Sequence, residues 1–333
     1  MRLKGTQLLY LIFLTSILLL VMSASFFPSS NGMIPNYLSP PESSPAAYPF
    51  WSDDSYWNLK IPVDAKVHPN SVQMVSWLKS VPGHYSGRPQ VKYQSWTQPL
   101  YDAYASTPKY TVKIDSGGYL YNVPIPSGSI PSSDSDRWMG IIDWDNNVYN
   151  DFWRLRYESG QWKCGAGWKW DLNGSGVGTE GKWTVHGSST PLLAMLIRPE
   201  EIEAGVIKHP LACGLYTPKK TVHVYPPAAT TDGRSTATYA IPEGARIQLD
   251  PNLNLDNYSL NPTAKIVAKA LQDYGAVVFC VSGTFNLYAE HDYSAHWSTH
   301  GISWRTVQSS LNTIPARWRI VDYSVFGSNL LRS

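Results

Sequence analysis

Residues 138–153 read Trp138-Met-Gly-Ile-Ile-Asp143-Trp-Asp145-Asn-Asn-Val-Tyr149-Asn-Asp151-Phe-Trp153. Two runs of apolar and aromatic residues flank Asp145-Asn146-Asn147, residue types that suit tight turns. The pattern predicts a β-hairpin. On its return strand, side chains alternate between faces, so Tyr149, Asp151 and Trp153 share one side. A carboxylate between two aromatic rings is a plausible sugar-site arrangement.

The same signature recurs on both sides of this stretch. Val91–Trp96, Lys109–Ile114, Tyr119–Val123, Thr221–Tyr225, Ala245–Leu249, Ala276–Val281 and Trp318–Tyr323 are rich in Val, Ile, Tyr, Trp and Thr. Gly, Pro, Asp and Asn bound them. Helical signals are few. Asn261 as cap, Pro262 at the first helical position and Gly275 as stop frame a helix to Tyr274, with Val267, Ala270 and Leu271 on one face. Shorter helices are expected over Pro69–Ser80, Pro199–Ala204 and Ser303–Thr313. Many short strands with few helices imply a mainly β chain, a sandwich or jelly-roll-like domain with short peripheral helices.

The N-terminus has a different character. Arg2 and Lys4 precede an apolar run from Leu8 to Met22, and small residues follow at Ser23–Ser25. This is the pattern of a secretory signal over residues 1–24, or of a retained membrane anchor. Residues 25–48 are Pro- and Ser-rich and read as a linker. Residues 49–333 form a single expected β-rich domain. The expected location is secreted or cell-surface, with membrane contact only if the segment is retained.

Charge narrows the partners. The chain has 27 basic and 25 acidic residues. Without Arg2 and Lys4 the balance is 25 against 25. No Lys/Arg cluster is able to neutralise a run of phosphates, which argues against nucleic acid. Cys164, Cys213 and Cys280 are too few for a disulfide framework, though one bridge is compatible with export.

Fourteen Trp and 21 Tyr are the compositional outlier. Trp162, Trp168, Trp170 and Trp183 lie in a Gly-rich stretch without clear periodicity. Indole faces displayed on a groove suit the C–H face of a sugar, so a polysaccharide or other glycan is the expected partner. Tyr149, Trp153, Trp168 and Trp170 are the expected substrate contacts. The alternative is that these rings pin loops onto the sandwich.

For chemistry, glycoside cleavage needs an acid and a base or nucleophile. Asp151 and Asp143 are the carboxylate candidates, and His209, opening an apolar run, is an acid/base candidate. His186 in Val185-His-Gly-Ser-Ser is a similar but less marked case. Glu200, Glu201 and Glu203 sit in a helix's first turn and read as structural. His291, His296 and His300 form the densest ligand-type cluster, a weak metal signal because no HExxH accompanies it. No cofactor is expected.

Several ordered pieces resemble a broad set of exported bacterial and archaeal proteins. These are Ser55-Tyr-Trp57-Asn58, Ala105-Ser-Thr-Pro108, Tyr149-Asn-Asp151-Phe-Trp153, Leu192–Gly205, His209-Pro-Leu-Ala, Pro242–Leu249 and Ala270–Gly275. The resemblance covers about Asp53 to Asp322. Such proteins are often placed beside carbohydrate-active modules, so the resemblance implies a glycan ligand and singles out Asp151, Trp153, His209 and Arg246. It transfers no settled reaction. This chain departs from the pattern at Cys280, where the set usually has Asp. The expected function is a secreted polysaccharide-degrading hydrolase or lyase. The alternatives are a non-catalytic glycan- or envelope-binding module and a metal-dependent hydrolase.

Overall fold

Residues 50–221 and 225–326 are described by a computed structural model; the expected signal or anchor and the linker lie outside the described residues. So do positions 222–224 of the strand expected at Thr221–Tyr225. No helix among the described residues is long and apolar enough to cross a membrane.

The chain is mainly β. In order, the strands are β1 (Gln90–Lys92), β2 (Leu100–Ala103), β3 (Lys109–Ile114), β4 (Tyr119–Pro124), β5 (Met139–Asp143), β6 (Val148–Trp153), β7 (Arg156–Glu158), β8 (Gln161–Cys164), β9 (Ala166–Asp171), β10 (Leu211–Leu215), β11 (Arg246–Leu249), β12 (Ala276–Val281), β13 (Asn286–Tyr288) and β14 (Trp318–Ile320). The helices are α1 (Ser71–Ser80), α2 (Pro199–Glu203), α3 (Pro262–Asp273), α4 (Asp292–Ala295) and α5 (Trp304–Leu311). The strands form a six-stranded sheet, β1-β13-β10-β12-β11-β14, a middle sheet, β2-β5-β6-β9, and an outer sheet, β4-β3-β8-β7.

Three cores lie between the layers. Helices α1, α3 and α5 place Leu78, Val267, Leu271 and Val307 in one cluster with Leu211, Ile247 and Val278 of the six-stranded sheet. The opposite face of that sheet, through Ala212, Val277 and Phe279, packs with Leu100, Ile142, Tyr149 and Trp170 of the middle sheet. The middle sheet's reverse face, Met139, Ile141 and Phe152, meets Val112, Val123 and Cys164 of the outer sheet. The sandwich therefore has three sheets, with helices covering one side. Strands β10 and β12 alternate between two apolar cores, which is why they read as unbroken apolar runs.

Local signals explain the helices. Asn261 Oδ1 accepts from Ala264 N (2.8 Å), Pro262 starts α3, and Gly275 at φ +70° ends it. Met74, Val75 and Leu78 form the buried side of α1, whereas Val72, expected in that stripe, is 81 % exposed. The three cysteines are buried and unbridged.

Candidate functional site

The hairpin β5–β6 builds the site. Tyr149 on β6 faces the six-stranded sheet and Phe152 faces the outer one, as alternation requires. Strand β9 sets Trp168 directly opposite Asp151 and Trp170 opposite Tyr149. Directly paired residues share a face, so the Trp168 indole flanks the Asp151 carboxylate. On the other side β5 opposes Asp151 with Gly140. A Cβ there would meet Leu100 at 2.6 Å, the Tyr149 ring at 2.9 Å and Gln98 at 3.0 Å. The missing side chain makes room for the Gln98 amide. Gly140→Ala is expected to cost about 1–3 kcal/mol by overpacking, measured by urea denaturation, and to disturb the hydrogen bonds described next.

Those bonds fix one edge of Asp151. Gln98 Nε2 donates to Asp151 Oδ1 (2.8 Å), and Tyr149 OH donates to Gln98 Oε1 (2.5 Å). Burial, followed by the Asp151 charge, pushes the Tyr149 phenol well above its ordinary value, so it stays a donor. The other carboxylate edge differs. His186 Nε2 stands 3.2 Å from Asp151 Oδ2, but out of hydrogen-bond alignment. Asp151 Oδ2, both ring nitrogens of His186 and Trp138 Nε1 are buried without a hydrogen bond. The imidazole lies edge-on to Trp138 (5.1 Å between centroids) and Phe279 (5.5 Å). Each unmade hydrogen bond costs roughly 1–3 kcal/mol. Two of these atoms, Asp151 Oδ2 and His186 Nε2, face each other across 3.2 Å, so a buried polar pair is set into an otherwise apolar core.

A second carboxyl centre adjoins the first through Gly187. A Cβ on Gly187 would lie 2.5 Å from the Asp232 carboxylate, so alanine would displace it. Asp232 Oδ1 accepts from Val281 N (3.0 Å), and Asp232 N donates to Glu243 Oε2 (3.2 Å). Asp232 is exposed while Glu243 is 1 % exposed, so the pair opens outward. Burial, then the neighbouring Asp232 carboxylate, pushes the Glu243 carboxyl well above its ordinary range. The shift favours the protonated form of the Glu243 carboxyl. Cys280, the departure from the resembled pattern, lies within the field of both acids. Burial first, then Asp232 and Glu243, raise its thiol well above its ordinary value, which removes it as a nucleophile.

Beside β9 a groove of about 200 Å³ is lined by Trp168, Trp170, Gly176, Gly178, Lys182 and Thr184, among others. Lys182 Nζ sits 4.4 Å above the Trp168 ring, and Trp168 is half-buried. Trp183, between two lining residues, is 59 % exposed. Thr184 N donates to Ser189 Oγ, which ties the groove wall to the segment carrying His186.

Other expected site residues have different settings. Tyr149 is sealed in the core between the sheets, and Trp170, though it lines the groove, is only 5 % exposed. Trp153 donates its Nε1 to Asp136 (3.0 Å) and is covered by Arg154 at 4.2 Å. Asp143 accepts from the Asn146 amide (2.9 and 3.0 Å) and shapes the hairpin turn, because Asp143 and Asn146 both have to close it. His209 is fully buried, with Nε2 2.8 Å from Glu201 Oε1 and Nδ1 2.8 Å from Pro210 O. Arg198 joins the same Glu201 at 3.3 Å and Glu200 at 2.7 Å, so His209 belongs to a clamp at the start of α2. Arg246 is also internal. It bonds Tyr56 OH (3.0 Å), Leu59 O (3.1 Å) and Tyr56 O (3.3 Å), with its guanidinium 4.1 Å over both Tyr56 and Phe326. It fastens the N-terminal segment to β11 and is too enclosed to meet a substrate.

The three C-terminal histidines diverge. His291 caps α4 by accepting from Tyr293 N (3.0 Å), His296 is exposed at φ +45°, and His300 pairs with Glu203 at 2.5 Å. Among the described residues no group of three His, Cys, Asp or Glu side chains is gathered to hold a metal ion.

No family model, curated protein or solved structure matches the chain. Of the site residues, Asp151 and Trp168 are legible in the sequence and His186 only faintly. Gln98, Trp138, Asp232 and Glu243 are not. Asp232-Gly233 reads as an ordinary loop pair, and Glu243 carries no local signal.

Proposed function

We propose that the protein is an exported polysaccharide-degrading enzyme. Sugar rings enter along the Trp168 groove, and Asp151 with His186 supplies the acid–base chemistry. The observation that carries this reading is the buried pair of Asp151 Oδ2 and His186 Nε2, 3.2 Å apart, on the strand register that sets Trp168 opposite Asp151. The Tyr149–Gln98 chain fixes Asp151 from behind, which leaves its free edge to hold charge against His186 while the imidazole moves a proton. The Asp232–Glu243 pair supplies a second carboxyl centre on the other side of Gly187. Two neighbouring ionisable centres, one with its Glu243 carboxyl held above the ordinary range, suit acid–base cleavage of a glycosidic bond.

Release of reducing ends from a panel of polysaccharides tests the proposal, and ultraviolet absorbance of an unsaturated product separates lyase from hydrolase. Trp168→Ala is expected to raise KM by roughly fivefold with a smaller change in kcat, because about 1 kcal/mol of ring stacking is lost. An unchanged KM on a cleaved polymer would remove the groove from the reading.

A non-catalytic glycan-binding module is the second reading. It is favoured by the full burial of Asp151 and the 3 % exposure of His186. It requires retention in affinity electrophoresis that weakens in Trp168→Ala and is unaffected by Asp151→Asn, with no turnover.

A further inference from the structure

The outer sheet turns one face to the core and the other to solvent, and the solvent face is not a neutral lid. Across it, Tyr119 of β4, Lys113 of β3, Lys163 of β8 and Arg156 of β7 stand in one row, each in register with the next. Directly paired residues project from the same face. Tyr121, two residues on from Tyr119, projects there too, and Lys109 is four residues from Lys113 on the same side.

The charges on this face are unevenly used. Arg156 takes Asp115 (2.8 Å) and Glu158 (3.4 Å), and Lys163 takes Glu158 (3.1 Å). Lys109 and Lys113 are exposed and make no ion pair among the described residues. Lys169 Nζ donates to Tyr121 O (2.7 Å), adding a third cation at the β4 edge. The rings are equally available. Tyr119 is 46 % and Tyr121 62 % exposed, and their centroids lie 6.0 Å apart at 34°. A hairpin in water gains nothing by presenting two adjacent, tilted phenols beside uncompensated lysines, and exposed aromatic patches mark interaction surfaces.

We infer that the solvent face of the β3–β4 hairpin is a second binding surface, for an acidic polysaccharide, whose sugar rings rest on Tyr119 and Tyr121 and whose anionic groups meet Lys109 and Lys113. The chemistry selects this polymer over others. The large exposed hydrophobics of the β3–β4 hairpin are all Tyr, each with a hydroxyl, and no Leu, Ile or Phe projects as membrane insertion needs. A nucleic acid carries a charge on every residue and is met by a continuous run of cations, whereas here two unpaired lysines on β3 lie beside two rings on β4. A polymer with spaced charges and broad C–H faces fits that spacing. The surface lies on the outer sheet, which the Trp168 groove does not include, and it does not depend on the catalytic reading.

Affinity electrophoresis of the whole protein in polygalacturonate, with neutral hydroxyethylcellulose as the control, tests the inference. Polygalacturonate is expected to retard the protein more than the neutral polymer does. The double variant Tyr119→Ala/Tyr121→Ala is expected to lose roughly tenfold in affinity. The double variant Lys109→Gln/Lys113→Gln is expected to lose a comparable factor and most of the salt dependence. Circular dichroism checks that these surface variants stay folded. Equal retardation by both polymers, unchanged retardation in both double variants, or tighter binding to duplex DNA or to phosphatidylglycerol vesicles than to polygalacturonate would overturn it. Retention lost in these variants but kept in Trp168→Ala separates this surface from the groove.

Discussion

Asp151→Asn is expected to lower kcat on any cleaved polysaccharide by on the order of 10³-fold, within the span usual for acid–base groups, with little change in KM or thermal midpoint. Asparagine has the same shape, and its carbonyl can still accept from Gln98 Nε2, which bonds Asp151 Oδ1 at 2.8 Å. The substitution therefore removes charge and leaves the Tyr149–Gln98 support in place. What it takes away is the negative oxygen 3.2 Å from His186 Nε2. Without it the imidazole has no counter-charge as it takes up a proton, and a buried imidazolium in that apolar box beside Trp138 and Phe279 is strongly disfavoured. Steady-state kinetics with a parallel thermal melt checks this. Full activity in the folded variant would strip Asp151 of any chemical role and leave the binding-module reading in possession of the groove.

The largest stability effect is expected at the clamp that begins α2. Glu201→Ala should cost roughly 3–5 kcal/mol near neutral pH, the usual penalty for stranding a buried charge. Glu201 is 5 % exposed and Arg198 is 2 % exposed, and His209 is fully buried against the same carboxylate. The loss is a large part of the 5–15 kcal/mol that holds a typical domain together. The effect carries a pH signature. Burial alone would raise the Glu201 carboxyl, but His209 and then Arg198 outweigh it and hold it below its ordinary value. A carboxyl whose folded value lies below its unfolded value stabilises the fold above the unfolded value. That contribution is lost as pH falls through the folded one. The gap between wild type and Glu201→Ala should thus be widest at neutral pH and close in acid, below the ordinary glutamate range. Urea denaturation at a series of pH values measures it. A gap that stays constant with pH would show that the variant acts by lost packing and not by lost charge.

These two predictions sit at opposite ends of what was legible. The hairpin at 138–153 is written in its own residues: turn formers at 145–147 between two alternating runs. Period two then puts Tyr149, Asp151 and Trp153 on one side without reference to anything else. The cap, proline and stop glycine of α3 are equally local. The same residues do not say what the shared side will face. Tyr149 and Trp170 are enclosed because a second sheet, built mostly from residues beyond 210, lies over them. Of the expected platform rings, Trp168 is half-buried at a groove and Trp183 is exposed beside it.

His209 and Arg246 were misleading for the same reason. A histidine or arginine at the edge of an apolar run is compatible with a reactive site and with an internal clamp. Only the partners decide, and those are Glu201 and Arg198 in one case and Tyr56 in the other. The candidate site joins Gln98, Asp151, His186, Asp232 and Glu243, segments far apart in the chain whose spacing carries no motif. The sequence by itself determined the β5–β6 hairpin, the ends of α3, the shared face of β6 and the near-neutral charge, because these depend on neighbours a few residues apart and on totals. Tertiary structure alone decided which aromatics meet solvent, which carboxyl is pushed above its ordinary range and which histidine faces Asp151. Burial and field are properties of the space between sheets, and that space exists only after distant strands have stacked.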